Sequence, residues 1–462
     1  TSTVQWNQSG GVVNVGSTVY GVDRNFDFGL DNAPGNATTP GAQSTVTGSL
    51  TGSGELNVSG QMLLNAAGGA NTNAQFTVDG GTLRIGTGSN VSNTAAVRQL
   101  YIGDSNVSTA VSSFTVNSGR VEVDGGIRIA DGGANSQSNS FTQNGGVVVI
   151  STGATATGNG NFETAVTGVG EATFTGGQFF LTQQNFIVGQ GATSTATLNV
   201  SGTAEVNVGF SEAGASNGSS DLNVNDGAGI NTINISGGAV QVSRHFNGTS
   251  GTSLLDLTHS GGLFDIAQDL NYRGGQSTLT FSGAADLNVG RDVLFNAGGT
   301  TGTPSKFMVT GGSATIDIGR NFTMTGTGER VLAFEALAPS AMPVSILNVG
   351  GNVSLGGTLE LIGFEALDWT SIFGGGSGTV TLINNQGANA VTGTFFQDDG
   401  FGSSIVWNEG ETWTGDSQWA LSYLGGTGND VVLNYTAMII PEPSRALLVL
   451  VGVLGILMRR RS

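Results

Sequence analysis

The chain has 462 residues, among them 78 glycines; 38% are hydrophobic, 10% are charged, and the formal net charge is −18. Short alternating runs of Val, Leu, Ile and Phe supply apolar surface for a core, which excludes a disordered chain, and the scarcity of basic residues excludes phosphate-driven nucleic-acid binding. Cysteine is absent, which excludes disulfides, thiol catalysis and thiolate metal sites together.

The chain begins Thr1-Ser2-Thr3, without Met or an evident signal peptide, and reads as a mature or truncated N-terminus. From there a short pattern recurs: an apolar alternating run, a polar residue with Gly, a second run, a polar corner and a third run. Phe76-Thr77-Val78-Asp79-Gly80-Gly81-Thr82-Leu83-Arg84-Ile85 is one copy, and Ile233-Asn234-Ile235-Ser236-Gly237-Gly238-Ala239-Val240-Gln241-Val242 is another. The turn glycine recurs near Gly10, Gly60, Gly80, Gly119, Gly145, Gly176, Gly202, Gly237, Gly261, Gly283 and Gly311.

Each run alternates with period 2, so one face of each strand is apolar. Strands this short bury their faces only by stacking coil upon coil. The pattern therefore predicts an all-β fold, a right-handed parallel β-helix (β-solenoid), over residues 1–330. The uneven spacing fits coils of similar cross-section interrupted by Gly-, Asn- and Ser-rich loops such as 86–94 and 213–220. It fits less well the 8–12-residue turn spacing of a β-sandwich or the four-stranded blades of a propeller. A second corner recurs at Val289-Gly290-Arg291-Asp292-Val293, Ile318-Gly319-Arg320-Asn321-Phe322 and Val349-Gly350-Gly351-Asn352-Val353. Its Asn and Asp read as corner residues that bond nearby backbone and stack in ladders.

Phe334-Glu335-Ala336-Leu337-Ala338 is a run of helix formers stopped by Pro339, so residues 331–345 are expected to be a linker or short helix. Four of the five tryptophans, Trp369, Trp407, Trp413 and Trp419, fall in the next segment. Residues 346–436 are read as terminal coils and a bulkier cap, with these rings as buried anchors or, alternatively, as carbohydrate-binding aromatics.

Chemistry-bearing motifs are sparse. The two histidines, His245 and His259, lack a recognisable nucleophile elbow or third metal ligand and read as corner or surface residues. Asp398-Asp399-Gly400 superficially resembles the aspartate pair of polygalacturonase-like enzymes, but without their supporting elements it reads as a solvated turn. Gly425-Gly426-Thr427-Gly428-Asn429-Asp430-Val431-Val432-Leu433 fits a calcium-binding nonapeptide once, without the second copy that shares the ion. It reads as a tight turn into a terminal strand. Asn-x-Ser/Thr at Asn57, Asn199, Asn234, Asn321 and Asn352 is expected by chance in a chain this rich in Asn, Ser and Thr. No catalytic residue, metal ligand or cofactor is assigned.

The last 22 residues carry the clearest message. Pro441-Glu442-Pro443 precedes an uncharged stretch, Ala446 to Met458, which is followed by Arg459, Arg460 and Arg461. The tail holds four of the 15 basic and one of the 33 acidic residues, leaving 11 against 32 and a net of −21 before it. An apolar run this short falls below the ~20 residues of a comfortable membrane helix. The arginines would stay cytoplasmic and leave the body outside. Residues 437–462 are thus expected to be a sorting signal with a short hydrophobic helix.

This combination resembles the PEP-CTERM sorting signal of Gram-negative bacteria. The resemblance implies recognition of Pro441, Glu442 and Pro443 by an exosortase, a membrane protease-transpeptidase, in an organism that makes exopolysaccharide. It also implies transient anchoring through residues 446–458, with Arg459, Arg460 and Arg461 as the basic stop. The repeat body resembles autotransporter passenger β-helices; Gly378-Thr379-Val380-Thr381-Leu382-Ile383-Asn384-Asn385 and the 426–433 segment look like their end module. The sequence departs from that family in that the tail stands where a C-terminal β-barrel would be expected, so self-translocation is not implied. The expectation is an exported, non-enzymatic structural or adhesive protein of the cell surface or matrix, with exopolysaccharide or other surface polymers as partners and no nucleic acid. The alternatives are a polysaccharide lyase or hydrolase on the same scaffold, marked by a concave groove of convergent charged side chains, and a calcium-stiffened rod.

Overall fold

A computed structural model describes residues 2–15, 26–28, 44–64, 72–86, 99–103, 111–131, 138–151, 160–224, 229–248, 253–272, 274–296, 304–325, 329–337, 344–398, 404–414 and 418–437. Over these residues the protein is almost entirely β. The period-2 alternation translates directly into burial. In Ile230–Val242, Ile233, Ile235, Val240 and Val242 are buried, while Asn234 and Gln241 between them are not.

The chain advances three strands at a time. Ser138–Gln143, Val147–Ile150 and Phe162–Thr164 make one rung; Val169–Phe174, Gln178–Leu181 and Phe186–Val188 make the next. Each strand pairs in parallel, residue for residue, with its counterpart one rung on. The first and second strands of successive rungs build a 24-stranded sheet, which also takes in the C-terminal strands, and the third strands build a 12-stranded one. In several rungs the first two strands run on as one, as in Thr72–Ile85 and Leu254–Ile266.

All three strand positions face one interior. Phe141 from a first strand meets Phe162 from a third strand at 5.4 Å between ring centroids, and Phe162 meets Phe179 from a second strand at 5.2 Å. Identical positions also stack along the molecule: Phe76, Phe114 and Phe141 lie 5.8 and 6.0 Å apart with nearly parallel rings. One rung earlier the same position is Gly48, where a Cβ would come within 2.7 Å of Phe28 and closer still to Phe76. Phe28 fills the space that a Gly48 side chain would need.

The first corner is built on glycine, though often not on the glycine that the pattern singles out. In the pairs Gly145-Gly146, Gly176-Gly177, Gly237-Gly238 and Gly261-Gly262, the second residue takes positive φ. At Gly146 (φ 71°) a Cβ would lie 2.6 Å from the carbonyl oxygen of Gly119 in the rung before, so left-handed backbone and close stacking both demand Gly. Gly60 does not belong to this corner. Gly52 does, with φ 59° and Gly80 as its partner in the next rung. With Gly52, the interval from Gly10 to the next corner falls from 50 residues to 42.

The second corner forms the expected ladder. Asn161, Asn185, Asp221, His245, Asp269, Asp292, Asn321 and Asn352 each immediately precede a third strand. The Asn161 side-chain oxygen accepts from the Asn185 N–H at 3.2 Å, and Asn185 does the same for Asp221 at 2.9 Å. Further along, Asp292 Oδ1 accepts from both the N–H and the Nδ2 of Asn321, and Asn321 Oδ1 accepts from the Asn352 N–H. Corner backbone donors that the sheets leave unpaired are satisfied by the rung before.

The linker or short helix expected over residues 331–345 begins instead as a strand. Arg330–Glu335 is a strand, paired with Ser305–Thr310 on one side and Thr358–Ile362 on the other. Two ready-made strand partners outweigh a weak local preference for helix. Residues 338–343 lie outside the described residues, as do residues 438–462 with the whole tail motif. Among the described residues no helix is long and apolar enough to cross a membrane.

Toward the C-terminus parallel stacking gives way to antiparallel pairing. Gly378–Asn385 pairs in parallel with Leu347–Val349 but antiparallel with Asp430–Tyr435, which also pairs antiparallel with Trp419–Gly425. Phe395–Asp398 and Ser404–Trp407 form a further antiparallel pair. Trp369, Trp407 and Trp419 are buried here. Trp369 Nε1 donates to the Phe364 carbonyl and Trp407 Nε1 to that of Glu411.

Candidate functional site

Because same-face residues alternate along each first strand, the outward positions of successive rungs fall into three columns. The one at the strand start carries Val169, Thr195, Ile230, Leu254 and Gln276, with Ile230 and Leu254 exposed, and two polar columns follow it. One reads Gln5, Thr47, Gln75, Ser113, Ser140, Glu171, Thr197, Thr232, Asp256 and Thr278; the other reads Asn7, Ser49, Thr77, Thr115, Thr142, Thr173, Asn199, Asn234, Thr258 and Thr280. Every one of these side chains is exposed or half-exposed. Hydroxyls and amides thus repeat at about 4.8 Å between rungs and about 6.7 Å within a rung. Cross-rung bonds hold the array in register: Asn234 Nδ2 donates to Asn199 Oδ1 at 2.9 Å, and Asn199 Nδ2 to Glu171 Oε1 at 2.8 Å.

Both columns change character at their C-terminal end. Thr278 is followed by Lys306, Val331 and Thr358, and Thr280 by Met308, Ala333 and Glu360. Lys306 is the only lysine in the chain. Its Nζ reaches over the intervening rung to Glu360 Oε2 at 2.7 Å. Trp413 of the C-terminal segment stands beside this pair, and together they line a groove of about 360 Å³ with Pro304, Val331 and Thr358. A half-buried Trp413 sets this ring apart from the three buried tryptophans.

The other residues singled out in the sequence have structural positions. His245 is a rung of the corner ladder: its N–H donates to Asp221 Oδ1 at 3.1 Å, and its Nδ1 lies 3.2 Å from Asp269 Oδ2. His259 is fully buried on a first strand between Phe264 and Phe281, so it is a core residue and neither a corner nor a surface one. The two histidines are not brought together into a common site; each is held by groups of its own rung and its neighbours. Asp430 is buried and accepts from the Asn385 N–H at 2.9 Å, while Asn429 Oδ1 accepts from Thr427 Oγ1 at 2.6 Å. The Asp430 oxygen ties the strand Gly378–Asn385 to this turn, and the Asn429 oxygen bonds within the turn itself. Among the described residues no three His, Asp or Glu side chains gather as metal ligands do.

Asp398 belongs to the strand Phe395–Asp398, and Asp399 and Gly400 lie outside the described residues. Of the chance Asn-x-Ser/Thr sites, Asn57 donates to Asn14 Oδ1, Asn199 and Asn234 belong to the outward columns, and Asn321 and Asn352 form corner rungs. Pro441, Glu442, Pro443, Arg459, Arg460 and Arg461 lie outside the described residues.

One cluster of charges escaped the sequence reading. Arg128 binds Glu163 through Nε at 2.6 Å and Asp131 through Nη1 at 2.7 Å, and its guanidinium lies 5.9 Å from the Tyr101 ring centroid. Burial raises the Asp131 carboxyl above its ordinary value, with Arg128 opposing. Both carboxylates are engaged by the same cation, which ties three successive rungs together. Asp131 lies only three residues from Arg128, but Tyr101 and Glu163 reach it through the stacking, so no linear motif marks the cluster.

Scans against protein-family models, curated proteins and solved structures each return no match to this chain.

Proposed function

We propose that this protein is an exported, non-enzymatic scaffold that binds neutral surface or matrix polysaccharide along its flat first-strand face. In this reading the three-strand rungs form a right-handed parallel β-helix, the hand favoured where parallel strands are joined by crossovers. The observation that carries the reading is the double column of Thr, Ser, Asn and Gln, interrupted only by Glu171 and Asp256 between Gln5 and Thr280. A flat hydroxyl and amide array suits repeated weak contacts with a polymer whose own hydroxyls repeat, and many weak contacts on one rigid body add up through avidity. It suits hydrolysis poorly, since that chemistry needs two carboxylates placed about a bond in a cleft. The acidic body would repel polyanions, which favours neutral chains.

The tail supports the setting. Pro441-Glu442-Pro443, the apolar run 446–458 and Arg459, Arg460 and Arg461 suit exosortase recognition and delivery to the cell envelope, surface or matrix of a Gram-negative bacterium.

The test of the face is co-sedimentation of the full chain with microcrystalline cellulose and with chitin. Replacing Thr142 and Thr173 together by Tyr, which breaks the flat array without touching the core, is expected to cut the bound fraction at least fivefold. Equal retention of the double variant, or release of new reducing ends from either polymer, would overturn the reading.

A further inference from the structure

We infer that the groove formed by Lys306, Glu360 and Trp413 is a subsite for a single stretch of neutral oligosaccharide, an inference that rests on the polysaccharide-binding reading of the adjoining face. Four observations meet here. The groove lies where both columns of that face end, so a chain lying on the face would run into it. Its volume of about 360 Å³ falls at the small end of the range for small-molecule pockets.

The third observation is chemical. Val331 points outward, where every residue of its column from Gln5 to Lys306 is polar, yet it is buried in the groove floor. Trp413 adds an amphipathic ring beside it. An apolar floor and an aromatic ring suit the C–H faces of a sugar, while the Lys306–Glu360 pair supplies donors and acceptors for its hydroxyls. The pair carries no net charge, and the surrounding protein is acidic, so an anionic sugar gains nothing here.

The fourth observation is rigidity. The segment that carries Trp413 is held on both sides. Its N–H donates to the Trp419 carbonyl at 2.8 Å, Thr412 bridges Ala420, and the N–H of Thr414 donates to Oε1 of the buried Gln397 at 2.9 Å. A ring fixed in place before binding loses little freedom on contact with a ligand.

The experiment is a fluorescence and calorimetric titration of the full chain with cellohexaose, chitohexaose and mannohexaose, run beside the co-sedimentation assay. At least one hexasaccharide is expected to bind. Trp413→Ala and Glu360→Gln are expected to weaken it tenfold or more with an unchanged melting temperature, and Trp413→Phe to restore most of the affinity. Equal binding by Trp413→Ala and the parent would overturn the inference. So would the absence of hexasaccharide binding by a parent that still sediments with cellulose or chitin, and the face reading would then stand alone. Failure in both assays would overturn both.

Discussion

His259 Nε2 lies 2.9 Å from the carbonyl oxygen of Gly262, three residues ahead at the first corner. A carbonyl only accepts, so Nε2 carries the proton. The contact is not unique to histidine. At the equivalent position of other rungs, Gln8 Nε2 donates to Gly11 at 3.0 Å and Gln143 Nε2 to Gly146 at 3.3 Å. A buried polar side chain at the end of a first strand is therefore a recurrent device for satisfying the corner carbonyl.

That equivalence makes His259→Gln a mild change, within about 1 kcal/mol of the parent, whereas His259→Ala leaves a cavity and an unpaired carbonyl and costs about 2–4 kcal/mol. Burial holds the His259 imidazole below its ordinary value. The unfolded chain then takes up a proton as pH falls through about 6.5, and the folded protein does so only at lower pH. Stability present above about pH 6.5 is lost below it, at up to about 1.4 kcal/mol per pH unit from this group. Denaturant midpoints at pH 7.5 and 5.5 should converge more closely in His259→Gln than in the parent. A parallel shift in both proteins would remove His259 from the account.

The corner ladder makes a second prediction. Asp292 Oδ1 accepts both the N–H and the side-chain amide of Asn321. Asp292→Asn keeps an acceptor oxygen and is expected to cost under about 0.5 kcal/mol, while Asp292→Ala orphans the Asn321 N–H and costs about 1–2 kcal/mol. Hydrogen exchange at the Asn321 amide, read by NMR or mass spectrometry, is expected to quicken in Asp292→Ala alone.

A third prediction concerns the loop after Glu205–Val208. Glu212 forms a bidentate pair with Arg120, at 2.8 and 2.6 Å, back across two rungs. Val149 and Phe180 sit on the rungs between; both are buried although they lie outside the main core cluster. The loop is a strap over an apolar patch on the second-strand face. Glu212→Gln should leave the melting temperature within about 2 °C, because exposed ion pairs contribute under about 1 kcal/mol, yet speed protease cleavage in the loop. Phe180→Asp should cost more than about 2 kcal/mol by charging that buried patch. Cleavage at the parent rate in Glu212→Gln would show that the pair does not hold the strap.

Much of this was readable from local pattern. Phe76-Thr77-Val78 and Ile233-Asn234-Ile235 display their inward and outward faces directly, because strand period and side-chain direction are tied by backbone geometry. The Asn and Asp corner at 292, 321 and 352 was readable for the same reason, since turn chemistry is short-range. The strap left only an indirect trace. Val147-Val148-Val149-Ile150 and Phe179-Phe180-Leu181 abandon alternation, the sign of a strand covered on both faces. The Phe334–Ala338 run misled because helix preference is a weak local prior, and the pairing of Arg330–Glu335 on both sides overrode it.

The sequence by itself determined the strand period, the Asn and Asp corner, the acidic character of the body and the order of Pro441-Glu442-Pro443, apolar run and three arginines at residues 441–461. Each of these depends on neighbours a few residues apart. Only the tertiary structure decided that Gly52 and not Gly60 turns its rung, that His259 is a core residue, and that Lys306, Glu360 and Trp413 share one groove. Those residues are separated by up to 107 positions along the chain. Their meeting depends on how many rungs intervene and where the C-terminal strands fold back, which no local pattern specifies.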